Sequence, residues 1–95
     1  KVIDVIRELE SLNVKVDVVD PLAQPEEVLN EYGIELCKKP ESGVYHAVIV
    51  AVNHNEYASL SEEDLSKYMD GGNGVLIDLK GIFRNRIKNL DYWSL

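Results

Sequence analysis

Ninety-five residues, 45% of them hydrophobic and 28% charged, are enough for one small core and exclude a disordered chain. A net charge of −7 disfavours nucleic acid as a partner, since phosphate-backbone affinity needs clustered Lys and Arg, but leaves room for a nucleotide-sized anion. No apolar run approaches bilayer length, the amino end lacks the order of a signal peptide, and the single Cys37 excludes an internal disulfide, so a cytoplasmic location without membrane contact is expected.

Val2, Val5, Ile6, Leu9 and Leu12 recur at steps of three and four, which predicts an amphipathic helix through "KVIDVIRELESL" ending near Asn13. No capping residue precedes that periodicity, so the chain is expected to begin inside a larger protein. "VKVDVVD" places Val14, Val16 and Val18 on one face of a predicted strand. Asp20-Pro21 stops it, because proline has no amide for a ladder. In "QPEEVLNEYG", Pro25 suits the first helical position, Glu26 and Glu27 favour the positive end of the dipole, and Gly33 suits the closing turn. A short helix is predicted there. "IELC" reads as a brief strand and "KKPESG" as a surface loop.

In "HAVIVAVNHNEY", six consecutive apolar residues, Ala47 to Val52, predict a strand buried on both faces. Asn53, His54 and Asn55 follow at its carboxyl end, where open α/β sheets bind ligands. "SEED" at 61–64 matches a capping box between Ser61 and Asp64, and Leu65, Tyr68 and Met69 form the buried stripe of the helix it opens. "GGNG" turns into the strand "VLIDLK", and "DYWSL" is a last edge strand. Alternating helices and strands, with apolar runs too long for a two-faced antiparallel sheet, predict a single α/β domain over residues 1–95. Its expected architecture is Rossmann-like, three-layered, with a mainly parallel sheet.

Taken in order, "KVIDVIRELESLNVKVDVVDP", "YHAVIVAVNHNEY" and "VLIDLKGIF" resemble the carboxyl-terminal, UDP-sugar-binding domain of the UDP-glucose/GDP-mannose dehydrogenase family, most of all its UDP-N-acetyl-hexosamine 6-dehydrogenases. The resemblance covers nearly the whole chain. It implies a domain truncated before its first strand, belonging to an NAD-dependent oxidoreductase. Such enzymes take the sugar C6 alcohol to a carboxylate in two hydride transfers, for capsule or surface polysaccharide. NAD would be bound by an amino-terminal domain outside these residues, which contain no G-x-G-x-x-G. Cys37 lacks the glycine-rich, lysine-containing context of the family's nucleophile, so no turnover is expected from this piece alone. The implied partners are a UDP-sugar, the remaining domains of the same polypeptide and, at full length, a further copy of itself. The missing strand would lie between those at 14–19 and 47–52. These two are therefore expected to pair directly, to accept a partner's segment, or to shift register. Composition and periodicity alone leave open a different class: a free-standing α/β ligand-binding or regulatory module without redox chemistry.

The candidate substrate-binding residues are Lys80, Gly81, Arg84 and His54. Lys80 in "DLKG" stands where relatives often read Asp-Gly-Arg, with an arginine used on the nucleotide; a lysine offers a point charge in place of a bidentate fork, or is simply solvated. Gly81 serves either a close backbone approach or the turn. Arg84 and Arg86 either add positive potential at the pocket mouth or are solvated. His54 either faces substrate or helps to satisfy exposed backbone groups at the next turn. Asp78 is expected to hydrogen-bond nearby backbone, Asp20 to form an Asp-Pro turn, and Tyr92 and Trp93 to contact another domain or the local core. His46 has no second ligand at a metal spacing.

Overall fold

The computed structural model describes residues 2–95, which divide into two compact units, one ending at Pro40 and one spanning Glu41–Leu95. In the first unit, helix α1 (Val2–Ser11) buries Ile6 and closes on Asn13, which adopts a left-handed φ of 65° and lets the Val14 amide reach the Leu9 carbonyl at 3.1 Å. Helix α2 (Pro25–Tyr32) has proline in its first turn and ends on Gly33 at φ 70°, whose amide donates to the Leu29 carbonyl. Both ends match the punctuation in the sequence. The Arg7 guanidinium donates to the carbonyl of Tyr32 at 2.9 Å and ties the two helices together. Asp20 forms the expected Asp-Pro turn, its carboxylate accepting the Leu22 amide at 3.0 Å.

The strands predicted at 14–19 and in "IELC" are not formed as ladders. They meet only as an isolated parallel bridge, Val18 with Leu36, with the Cys37 amide donating to the Val18 carbonyl at 2.8 Å. A ladder lengthens only while both segments run side by side, and Pro21 after one and the bend at Lys38 and Lys39 after the other cut this one short.

The second unit holds the sheet. Strands β1 (Ala47–Val50), β2 (Val75–Asp78) and β3 (Asp91–Ser94) lie in the order β1-β2-β3, all parallel, with Val50, Asp78 and Ser94 in register. The expectation of an α/β fold with a parallel sheet holds here. Within the sheet β1 has one neighbour, β2, and in the first unit the bridge of the 14–19 segment is with Leu36. The apolar run is also less enclosed than predicted: of Ala47 to Val52 only Val50 is buried, and Ala47 and Val52 are exposed.

A one-turn helix α3 (Asn55–Ala58) and helix α4 (Glu62–Ser66) connect β1 to β2. The capping box forms as read, Ser61 Oγ accepting the Asp64 amide and the Asp64 carboxylate accepting the Ser61 amide. Leu65 and Met69 are buried and Tyr68 is half-buried, but the helix stops at Ser66, so Tyr68 and Met69 lie beyond it rather than on its stripe, Met69 forming an isolated parallel bridge with Tyr45. Leu65 and Met69 make one core with Val50, Leu76, Phe83 and Leu90, which lies on the sheet face shared by Val50, Leu76 and Asp78. The opposite face carries Ile77 and the exposed Trp93. At the start of β2, Gly74 sits so close to the His46 carbonyl that an added Cβ would lie 2.7 Å from its oxygen, so this is a glycine required by packing. Among the described residues no helix is long and apolar enough to cross a membrane.

Candidate functional site

Because the three strands are parallel and in register, their carboxyl ends open onto one rim, formed by the residues after Val50, Asp78 and Ser94. This brings the segment leading to His54 and the loop after Asp78 to the same edge of the sheet, the edge at which open α/β sheets take ligands. Ladder hydrogen bonding continues one step further, the Leu79 amide donating to the Val50 carbonyl at 3.0 Å.

Asp78 closes β2 and is fully buried. Its Oδ1 accepts the Ile82 amide at 3.1 Å, and its Oδ2 accepts the Phe83 amide at 2.8 Å and the Tyr92 hydroxyl at 2.6 Å. Burial pushes this carboxyl upward, but the Tyr92 hydroxyl and the Phe83, Ile82 and Gly81 amides together outweigh it and leave the group below the ordinary aspartate value. Asp78 is thus an ionised acceptor that shapes the loop, as its position in the sequence led one to expect. Burial and the adjoining carboxylate hold the Tyr92 hydroxyl above the ordinary phenol value, so it stays a donor.

The loop so held carries three of the four candidates. Lys80 is exposed, two residues after the end of β2. Gly81 takes φ 71°, and a Cβ there would lie 2.8 Å from Arg84 Nε, so both the turn and a close approach apply, the approaching group being Arg84. Arg84 is exposed, with Nε donating to Ser94 Oγ at 3.0 Å and Nη2 donating to the Leu95 carbonyl. Arg86 is committed to the protein: Nη2 donates to the Leu60 carbonyl at 2.8 Å, Nη1 to the Ile82 carbonyl at 3.2 Å, and the guanidinium lies 5.0 Å from the Phe83 ring centroid. The fourth candidate, His54, caps α3. Its Nδ1 accepts the Glu56 amide at 3.0 Å and its ring tilts against Tyr57 at 5.3 Å. An imidazole whose Nδ1 accepts carries its proton on Nε2, which leaves Nε2 as a donor suited to a phosphate oxygen.

Glu62 has no counterpart in the sequence reading. From the first turn of α4 its carboxylate accepts three successive amides, Lys88, Asn89 and Leu90, at 2.7 to 3.1 Å, and so shapes the approach to β3. The donors lie 26 to 28 residues away, and no local pattern marks them. The Leu90 and Asn89 amides, against a smaller opposing effect of burial, hold this carboxyl below the ordinary glutamate value of 4.5. Since the folded-state value is the lower one, the stabilisation is complete above 4.5 and is lost as pH falls through the folded-state value. Thermal unfolding followed by circular dichroism across that acid range is expected to show a falling midpoint that flattens in Glu62→Gln. Equal slopes for the two proteins would remove Glu62 from the cause.

Among the described residues no cluster of His, Cys, Asp and Glu is arranged to hold a metal ion. Cys37 lies in the first unit beside the Val18 bridge, half-buried. β1 passes to α3 through Ala51–His54, a turn without a glycine.

Residues 1–85 match the family model described as "UDP-glucose/GDP-mannose dehydrogenase family, UDP binding domain". The chain is 40% identical over 80 residues to a UDP-N-acetyl-D-glucosamine 6-dehydrogenase of Pseudomonas aeruginosa, which covers 84% of this chain and 19% of that protein. A protein of the same description from Salmonella typhi matches at 40% over 80 residues, with the same coverage. The chain thus spans about a fifth of the length of these relatives. No solved structure gives a significant match.

Proposed function

The chain belongs to the UDP-glucose/GDP-mannose dehydrogenase family, and from that membership we propose that residues 1–95 work as one UDP-sugar-binding domain of an NAD-dependent 6-dehydrogenase. The substrate class is a UDP-N-acetyl-hexosamine or UDP-glucose, whose C6 alcohol becomes a carboxylate for capsule or surface polysaccharide. The single observation that carries this reading is the family match itself, which runs through residue 85 and so includes Lys80, Gly81 and Arg84 of the rim loop.

The contribution of these residues is recognition. Lys80 supplies an exposed positive charge for a diphosphate oxygen, the turn at Gly81 lets backbone approach it, and Nε2 of His54 offers a donor from the neighbouring strand end. NAD and the catalytic nucleophile are assigned to other parts of the polypeptide, since the sequence carries no G-x-G-x-x-G and Cys37 lacks the glycine-rich, lysine-containing context of the family's nucleophile. Function in the cytoplasm, and as an oligomer of the intact polypeptide, accompanies this reading.

The test is the intact protein, titrated with UDP-sugars and NAD while NADH absorbance is followed. Turnover is expected with a UDP-N-acetyl-hexosamine or with UDP-glucose. Lys80→Ala is expected to raise KM for the UDP-sugar about tenfold, the value of one charge-assisted contact, and to leave KM for NAD unaltered. Absence of turnover with every UDP-sugar would reject the reading, and an unchanged KM in the variant would take Lys80 out of the site.

A further inference from the structure

The connection from Leu79 to Leu90 contains no helix or strand of its own; it is held by its own turns, such as the Arg86 amide donating to the Phe83 carbonyl at 3.0 Å, and by contacts from outside. Edge strand β3 does so at two points. Tyr92 donates to the Asp78 carboxylate, which in turn receives the Ile82 and Phe83 amides, and Ser94 with the Leu95 carbonyl receives the Arg84 guanidinium. Gly81 and the side chain of Arg84 are packed against each other between these points. The carboxylate is used on both oxygens, with two donors on Oδ2, a load that neither an amide nor a hydroxyl of similar size can accept.

From this bracket we infer that Asp78 and Tyr92 are positioning residues for nucleotide recognition: they touch no substrate atom and act by holding Lys80, Gly81 and Arg84 in one conformation towards a UDP diphosphate. The inference rests on the reading that the rim loop meets the UDP moiety, and adds β3 as the element that sets the shape of that loop. A loop ordered before the ligand arrives loses less conformational freedom on binding, so loosening the bracket weakens affinity without removing any contact.

The test is calorimetric binding of UDP to the intact protein, comparing the unaltered protein with Tyr92→Phe, Asp78→Asn and Lys80→Ala, each with its thermal midpoint and its KM for NAD. Tyr92→Phe removes one hydroxyl and keeps the ring in the core. Asp78→Asn keeps the size and offers one oxygen where two are used. UDP affinity is expected to fall about three- to tenfold in Tyr92→Phe and by more than about tenfold in Asp78→Asn, with KM for NAD unchanged. If Asp78→Asn fails to fold, Tyr92→Phe decides. Tyr92→Phe binding UDP as tightly as the unaltered protein, whatever its thermal midpoint, overturns the inference, and so does a parallel rise in KM for NAD, which marks general loosening. Unaltered protein that binds no UDP, or Lys80→Ala that binds it undiminished, overturns the reading of the rim loop and this inference with it.

Discussion

Asp78→Ala is expected to lower the unfolding free energy by about 3–5 kcal/mol, measured by urea denaturation at neutral pH, because it strands three donors at once. The Ile82 and Phe83 amides and the Tyr92 hydroxyl all end on this carboxylate, which is fully buried. An orphaned buried donor costs about 1–3 kcal/mol, and water entering the vacated space recovers part of that. The effect also has a pH signature. The carboxyl lies below the ordinary aspartate value of 3.8 in the folded chain, so its stabilisation is complete above that value and is lost as pH falls through the folded-state value. The gap between the unaltered protein and Asp78→Ala should therefore narrow in acid. A gap that stays constant to the lowest pH reached would mean that the carboxylate's charge contributes nothing and that the alanine acts through packing alone.

Phe83→Ala is the second large effect, about 3–5 kcal/mol by the same measurement. Phe83 is completely buried and joins Leu65, Met69 and Leu76 in the core. Its ring lies under Arg86, which ties Leu60 to Ile82, so the surroundings are pinned on several sides and cannot collapse freely into the space left behind. The cost of a cavity grows with the volume that fails to close. Trp93→Ala is the control. At 69% exposure Trp93 loses little by truncation, and a change within about 0.5 kcal/mol is expected. A Trp93 variant as damaged as the Phe83 variant would show that the exposed sheet face is covered in solution.

Local signals in the chain proved readable in proportion to how local they are. The capping box at Ser61, Pro25 and Gly33 around α2, and the periodicity of α1 each lie within a few neighbouring residues, and each is formed as read. Strand lengths were not legible to the same degree. An apolar run states what a segment tolerates, whereas a ladder needs a second segment alongside it, and the valines at 14–19 find only the single bridge to Leu36. The rim candidates Lys80, Gly81 and Arg84 were legible because all follow one strand. What each side chain does there was not, and Arg84 lying across Gly81 to reach Ser94 is a case in point.

The helices α1, α2 and α4, the parallel sheet class and the strand end that carries the candidate loop follow from residue types and their spacing, since each depends on contacts within a helical turn or a strand period, whereas the family follows from the resemblance of whole strings. The partners of Glu62, Tyr92 and Arg86 were decided by the tertiary fold alone. Hydrogen bonds from the Leu90 amide to Glu62, from the Tyr92 hydroxyl to Asp78 and from the Arg86 guanidinium to the Leu60 carbonyl join residues 28, 14 and 26 positions apart, and only sheet register and helix packing determine which distant group comes within reach.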